Sequence, residues 1–146
     1  MNILLINLVL AAIMTGLIWT VQVAQYPLFR FLDVASLSTI HRQHCARIGC
    51  LVGPLMLAEL TAAIALVVTQ SGATSWTLLG LLVLIWLSTV LLQAPAHAVI
   101  AQAEQIEDAT AARFVGALVL SNWIRTILWT ARAGILAMAV AKQLPG

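Results

Sequence analysis

Four long apolar runs, separated by short polar segments, dominate the pattern of this chain. They cover residues 3–25, 44–69, 76–100 and 114–141. Each run is close to or longer than the ~20 residues that an α-helix needs to cross a bilayer. Backbone polar groups inside lipid must be paired within their own segment, so runs of this length predict helices. The pattern predicts an all-α integral membrane protein, a single transmembrane domain over residues 1–146 folded as an antiparallel up-down four-helix bundle.

The polar segments between the runs indicate where helices begin and turn. Residues 70–75 form a short polar turn, which makes the second and third helices antiparallel neighbours. We expect the second helix to begin near Leu37, ahead of its membrane run, with Ser36 or Ser38 as its cap.

Composition supports a membrane protein and indicates which partners to expect. The chain is 62% hydrophobic and only 8% charged, whereas roughly a quarter of the residues in a soluble domain are charged. The net charge of +2 is too small to indicate nucleic acid binding. The lipid bilayer is therefore the partner that composition predicts. Basic residues are concentrated near the first and third loops, so the positive-inside rule predicts that these loops are cytoplasmic.

The first and third runs share a short pattern that suggests an internal duplication. Leu-Ile-Trp at 17–19 precedes Gln-Tyr-Pro at 25–27, and Leu-Ile-Trp at 84–86 precedes Gln-Ala-Pro at 93–95. These helices run in the same direction, which is the arrangement that a duplicated two-helix unit would give. The alternative is a chance match between apolar strings.

Two arginines lie inside the fourth run, where lipid contact would be costly. Asn122, Arg125, Trp129 and Arg132 are spaced so that they share one helix face. A charge at mid-membrane costs about 2.5–3.5 kcal/mol or more, so such residues face the bundle interior. Glu59 lies at the same depth, and we predict an ion pair between it and one arginine. That pair either locks two helices together or serves as a proton relay or counter-ion, while the other arginine binds an anion.

All three histidines fall near one membrane interface. His41 and His44 lie three residues apart on the second helix, and His97 lies on the third. Imidazoles from two facing helices are a workable ligand set for a single transition-metal ion or a haem. The alternatives are hydrogen bonds at helix ends and proton transfer without a metal. Cys45 and Cys50 are interpreted as small buried thiols.

Further polar and aromatic side chains are expected to orient a ligand between the helices. Trp129 beside the arginines can form a flat wall through cation–π contact, although core packing is its simpler role. We predict Glu59, His97 and Arg125 as catalytic residues. The predicted ligand-binding residues are Gln22, Tyr26, Gln93, Asn122, Trp129 and Arg132.

Two motifs resemble those of small bacterial membrane oxidoreductases. The Trp-x6-Tyr-Pro-Leu-Phe string at 19–29 and Pro-Leu-Met-Leu at 54–57, with intramembrane His and Arg, are similar to the HemJ-type protoporphyrinogen oxidases and anthrone-oxygenase-like membrane proteins. The stretch 122–132 also resembles uncharacterised four-span bacterial proteins. The resemblance implies a multi-pass protein of the bacterial inner (plasma) membrane with oxidoreductase activity. The HemJ pattern has a ligand histidine in its first helix, where this chain has none.

Three functions follow from these residues. The first is an oxidoreductase that binds a metal or haem and a small lipophilic or anionic ligand in an intrabundle His/Glu/Arg site. The second is a small transporter or channel that uses Glu59, Arg125 and Arg132, for which so small a bundle would need a homo-oligomer. The third is a structural subunit of a membrane complex.

Overall fold

The chain forms four helical spans that are long and apolar enough to cross a membrane. The computed structural model describes residues 2–143. The spans are Ile3–Phe31, Val34–Thr69, Ala73–Ile100 and Asp108–Ala141. The structure is 92% helical, and the described residues contain no strand. The prediction of an all-α membrane bundle is therefore confirmed.

The first and third spans change helix type along their length, whereas the second and fourth are unbroken. In chain order the elements are α1 (Ile3–Thr20), a π-helical segment (Val21–Gln25), a 3-10 segment (Tyr26–Phe31), α2 (Val34–Thr69), α3 (Ala73–Ser88), a second π-helical segment (Thr89–Gln93), α4 (Ala94–Ile100), a 3-10 turn (Ala103–Gln105) and α5 (Asp108–Ala141). The breaks thus fall in the two spans that share the Gln-x-Pro pattern.

Side-chain contacts establish the up-down arrangement of the spans. Asn7 of the first span contacts Arg132 of the fourth, and Tyr26, further along the first, contacts Arg125. Residue numbers fall along the fourth span as they rise along the first, so these two run antiparallel. Tyr26 also contacts His97 near the end of the third span, which runs parallel to the first.

Apolar side chains fill the bundle in three layers along its axis. They are centred on Tyr26, Phe29, Ile100 and Val115 near the first and third loops, on Met14, Met56, Leu82 and Trp129 in the middle, and on Leu4, Leu66, Leu78 and Leu136 near the termini. Large apolar side chains such as Val68 and Leu120 remain exposed on the outer faces. Apolar side chains on the outside and polar side chains on the inside are what a bundle that faces lipid requires.

The second helix begins earlier than its apolar run. Asp33 occupies the cap position and accepts a hydrogen bond from the backbone N–H of Ser36 at 2.8 Å. The predicted cap, Ser36 or Ser38, is wrong, because the carboxylate upstream takes this role. The helix starts at Val34, about one turn before the predicted Leu37.

Both π-helical segments end at the glutamine of a Gln-x-Pro corner. The backbone N–H of Tyr26 donates to the carbonyl of Val21, and that of Ala94 donates to the carbonyl of Thr89. A proline has no N–H to donate and clashes with the carbonyl of the preceding turn, and a wider π turn accommodates both effects. The first and third spans therefore break at the same place in their shared pattern, and the duplication stays a prediction.

Candidate functional site

One buried polar cluster, which we call the ion-pair cluster, contains Asn7, Glu59, Trp129 and Arg132. Arg132 Nη1 donates to Glu59 Oε1 at 2.6 Å, and both side chains are fully buried. Trp129 Nε1 donates to the other carboxylate oxygen at 2.9 Å, and Arg132 Nη2 donates to Asn7 Oδ1 at 3.0 Å. The predicted ion pair is confirmed. Its opposite charges neutralise each other and join three spans, which indicates a structural role.

Arg125 is a second buried cation, but no carboxylate among the described residues pairs with it. It is only 6% exposed. Its Nε donates to Asn122 Oδ1 at 3.0 Å, and its terminal nitrogens donate to Thr89 Oγ1 at 3.5 Å and the Tyr26 hydroxyl at 3.4 Å. A guanidinium that meets only neutral oxygens keeps an unbalanced positive charge. It is therefore suited to hold an anion.

Two amides hold Arg125 in place from behind. Asn122 Nδ2 donates to Gln22 Oε1 at 2.6 Å, and Gln22 Nε2 donates to the backbone carbonyl of Val119 at 3.2 Å. These bonds use the donor groups of both amides and turn the Asn122 oxygen toward Arg125. Gln22 and Asn122, which were predicted to bind ligand, therefore position the guanidinium.

Tyr26 links Arg125 to the histidines. Its hydroxyl lies 3.1 Å from His97 Nε2, and His97 Nδ1 lies 2.8 Å from His41 Nε2. A guanidinium can only donate, so the Tyr26 oxygen accepts from Arg125 and remains able to exchange a hydrogen bond with His97. A continuous chain of polar atoms therefore runs from Arg125 to His41.

Cys45 joins the two paired histidines in a group that we call the His–Cys cluster: His41, Cys45 and His97. The Cys45 sulfur lies 3.4 Å from His97 Nδ1 and 3.7 Å from His41 Nε2. One donor atom from each residue lies within 4.8 Å of the other two, a spacing that could hold a metal ion. The second span supplies His41 and Cys45, and the third supplies His97.

His44, which was predicted as a metal ligand, lies outside the His–Cys cluster. Its ring packs edge-on against Tyr26 and Phe29, with ring centroids 5.9 and 5.5 Å apart. Its Nε2 is buried without a hydrogen-bond partner. On a helix, a residue four positions after His41 is offset by roughly 40°, and one three positions after it by roughly 60° the other way. The His-x3-Cys spacing was the sequence signal that pointed to Cys45.

A cavity of about 530 Å³ connects Arg125 with the His–Cys cluster. Its polar lining consists of Tyr26, Arg42, His44, Cys45, Thr89, Gln93, His97 and Arg125. Gln93 is fully buried, and its Nε2 has no hydrogen-bond partner. Gly49 of the second span and Ala98 of the third also line the cavity and are exposed. The cavity therefore opens between these two spans.

The predicted site residues fall in three places. Tyr26, His44, Gln93, His97, Arg125 and Trp129 line the cavity, His41 lies behind His97, and Gln22 and Asn122 lie behind Arg125. Glu59 and Arg132 belong to the ion-pair cluster and do not line this cavity. Sequence reasoning missed Cys45 and Thr89 as members of the site.

These features define a class: a multi-pass membrane protein, folded as a four-helix bundle with a polar cavity between its spans. No protein-family model matches the chain, and comparison with curated proteins and with solved structures likewise finds no match. The chemistry of the cavity is therefore the basis on which a function can be assigned.

Proposed function

We propose that the protein is a membrane oxidoreductase that takes a small lipophilic ligand with an acidic hydroxyl group from the bilayer. One observation carries this proposal. A single cavity is lined both by Arg125, a buried cation without a carboxylate partner among the described residues, and by Cys45 and His97 of the His–Cys cluster. Anion binding and metal binding are thereby possible side by side.

The shape and lining of the cavity favour a flat, largely apolar ligand. Its volume of about 530 Å³ falls within the ~300–1,000 Å³ that is usual for small-molecule sites. Trp129, Tyr26 and His44 contribute rings to its wall, and rings prefer to pack against other rings. The opening beside Gly49 and Ala98 faces the membrane, so a ligand dissolved in lipid can enter without crossing water.

Arg125 favours loss of the ligand's hydroxyl proton. A positive charge in an apolar cavity stabilises a developing oxyanion more strongly than it would in water. Gln93 offers a second N–H without a partner, and His44 has a ring nitrogen without one, so His44 is the candidate proton acceptor. Were an oxidised metal ion bound in the His–Cys cluster, it would supply a one-electron acceptor; loss of the hydroxyl proton to His44 and of one electron to that ion would leave the ligand as a neutral oxyl radical.

A single metal ion fits the histidines better than a haem does. Two axial ligands of a haem iron lie on opposite sides of the porphyrin plane. The facing nitrogens of His41 and His97 are 2.8 Å apart, which leaves no room for an iron porphyrin between them.

The ion-pair cluster argues against transport as the principal function. Glu59 and Arg132 are fully buried, paired with each other, and absent from the lining of the cavity. A solute in the cavity would not contact either charge, so these residues are poorly placed to gate its passage.

Binding of 6-bromo-2-naphthol to the detergent-purified protein tests the proposal. Its bromine quenches tryptophan fluorescence, and Trp129 lines the cavity. We expect saturable quenching by the naphthol, and only non-saturable quenching of exposed tryptophans by its methyl ether, which has no acidic hydroxyl. Arg125→Gln should weaken binding about 10- to 100-fold, because a hydrogen bond to a charged group contributes about 1.5–3 kcal/mol.

The matched control is Arg113→Gln, which removes an exposed arginine from the same helix. This variant should bind the naphthol like the unaltered protein. Equal quenching by the naphthol and its ether, or unchanged affinity in Arg125→Gln, would contradict the proposed function.

A further inference from the structure

We infer that the His–Cys cluster binds a single copper ion through His41 Nε2, Cys45 Sγ and His97 Nδ1. This inference deepens the proposed function, on which the redox role of the ion rests. The proposed ligands differ in one residue from the three histidines predicted from the sequence: Cys45 takes the place of His44.

The donor atoms already have nearly the separations that a metal ion requires. With metal–nitrogen bonds of ~2.0 Å and metal–sulfur bonds of ~2.3 Å, tetrahedral ligation places nitrogen and sulfur ~3.5 Å apart and two nitrogens ~3.3 Å apart. The sulfur–nitrogen distances in the cluster are 3.4 and 3.7 Å. The nitrogen–nitrogen distance of 2.8 Å is the one that must lengthen. It must lengthen by ~0.5 Å, a distance on the scale of side-chain rotation.

The types of ligand favour copper. Two imidazoles and one thiolate form the ligand set of trigonal copper sites that transfer electrons, and copper binds nitrogen and sulfur ligands more tightly than the other divalent first-row metals. No carboxylate belongs to the cluster, among the residues that the structure describes. Ligands of this softness disfavour magnesium, calcium and manganese.

Tyr26 is suited to orient one of the ligands. When His97 binds a metal through Nδ1, its remaining N–H lies on Nε2, which is 3.1 Å from the Tyr26 hydroxyl. A ligating histidine usually donates this second N–H to a fixed acceptor, which sets its tautomer and ring orientation. Because Tyr26 also contacts Arg125, the same hydroxyl would couple the ion to the anion site.

The open side of the ion faces the cavity. Cys45 and His97 line the cavity, whereas His41 is fully buried and does not line it. Three protein ligands leave a position free, and such open positions are the mark of metal sites that react with ligands. The proposed hydroxyl ligand would therefore approach the ion from the Arg125 side.

Copper loading of the purified protein tests this assignment. The protein in detergent is incubated with Cu²⁺, desalted, and analysed for bound metal and for visible absorption. We expect one copper per chain and a thiolate-to-copper charge-transfer band. Cys45→Ser and His97→Gln should each abolish the band and weaken copper binding at least about ten-fold.

Cys50→Ser and His44→Gln are matched controls. Cys50, which was expected to be buried, is an exposed thiol five residues further along α2, and His44 is a histidine outside the cluster. Both controls should keep the copper and the band. Because Cys45 and His97 belong to different helices, either variant decides the question if the other fails to fold.

Three results would overturn the copper site. The first is copper retention that is unchanged in Cys45→Ser or His97→Gln. The second is preferential retention of zinc when both ions are offered. The third is a loss in His44→Gln as large as that in His97→Gln, which would restore the predicted set of three histidines.

Anaerobic addition of 6-bromo-2-naphthol to the copper-loaded protein separates the two proposals. Loss of the Cu²⁺ paramagnetic resonance signal would support both. Copper that is bound but not reduced would contradict the oxidoreductase function and leave the copper site standing. Arg125-dependent naphthol binding without any copper would overturn the copper site and leave the ligand site standing.

Discussion

At the scale of single residues, two arginines on one face of α5 have opposite environments. Arg132 meets the Glu59 carboxylate, which neutralises it, whereas Arg125 meets only amide and hydroxyl oxygens. Burying an ion without a counter-charge is costly, so a protein that retains one must obtain a compensating function. The contrast makes Arg125 the residue on which the proposed ligand chemistry depends.

Replacing Tyr26 with Phe removes the hydroxyl between Arg125 and His97 while keeping the ring. We expect copper affinity to fall about ten-fold or more, which is the usual effect of losing a group that orients a metal ligand. Competition with a copper chelator measures the affinity, and circular dichroism checks that the helices persist. Unchanged affinity would show that Tyr26 does not orient His97.

At the scale of the helices, apolar runs were enough to predict four spans but not their ends or breaks. The first four turns of α2 contain exposed polar residues such as Arg42 and Arg47, so hydropathy could not locate its start. The π-helical segments arise from Pro27 and Pro95 together with the packing around them, which no periodicity encodes. Cys45 was missed because a thiol in an apolar run looks like a packing residue. Only the contact with His97, on another helix, shows that it belongs to the site.

The start of α2 gives a prediction about pH. The backbone N–H of Ser36, and then its hydroxyl, hydrogen-bond the Asp33 carboxylate and hold its pKa below the usual value for aspartate. A pKa that is lower in the folded state means that this cap stabilises the helix above the unfolded-state pKa. The stabilisation is lost as the pH falls through the folded-state pKa.

Nuclear magnetic resonance of the Ser36 amide in a pH titration measures this effect. The transition should have its midpoint below ~3.9, the ordinary aspartate value. Asp33→Asn keeps a capping oxygen without a titrating group, so it should abolish the transition. A midpoint at or above the ordinary value would mean that the cap does not form.

The opening between the second and third spans gives a prediction about ligand entry. Gly49 lines the cavity mouth, and a Cβ atom added there would meet no other atom within 4 Å. Gly49→Leu should therefore leave the fold intact and partly block the opening. We expect slower association of 6-bromo-2-naphthol in stopped-flow fluorescence.

Gly80→Leu is the control for this variant. Gly80 is also an exposed helical glycine with free space around it, but it does not line the cavity. Its association rate should match that of the unaltered protein. Equal rates in both variants would show that the ligand enters by another route.

At the scale of the whole molecule, the ion-pair cluster holds three spans together so that a cavity can persist beside it. Sequence reasoning could place Glu59 level with the arginines, because depth along a helix follows from residue number. It could not tell which arginine would be paired, since that depends on the rotation of each helix. In the folded bundle Arg125 lines the cavity, whereas Arg132 pairs with Glu59 and does not line it.

Glu59→Gln should strongly destabilise the bundle. It leaves Arg132 buried without a counter-charge, which costs about 3–5 kcal/mol. Thermal unfolding in detergent measures the loss. Glu104→Gln breaks the exposed Arg42–Glu104 pair, at 3.5 Å, and should cost at most about 1 kcal/mol. Similar losses in both variants would contradict a structural role for the ion-pair cluster.

The central claim is that one lipid-accessible cavity joins Arg125 to the His–Cys cluster. Labelling of Cys45 by N-ethylmaleimide in a Cys50→Ser background, with and without 6-bromo-2-naphthol, tests it most directly. We expect the naphthol to slow labelling of Cys45, and the same concentration to give no protection when Arg125→Gln is added. A labelling rate that saturating naphthol leaves unchanged while Arg125 is intact would contradict the account.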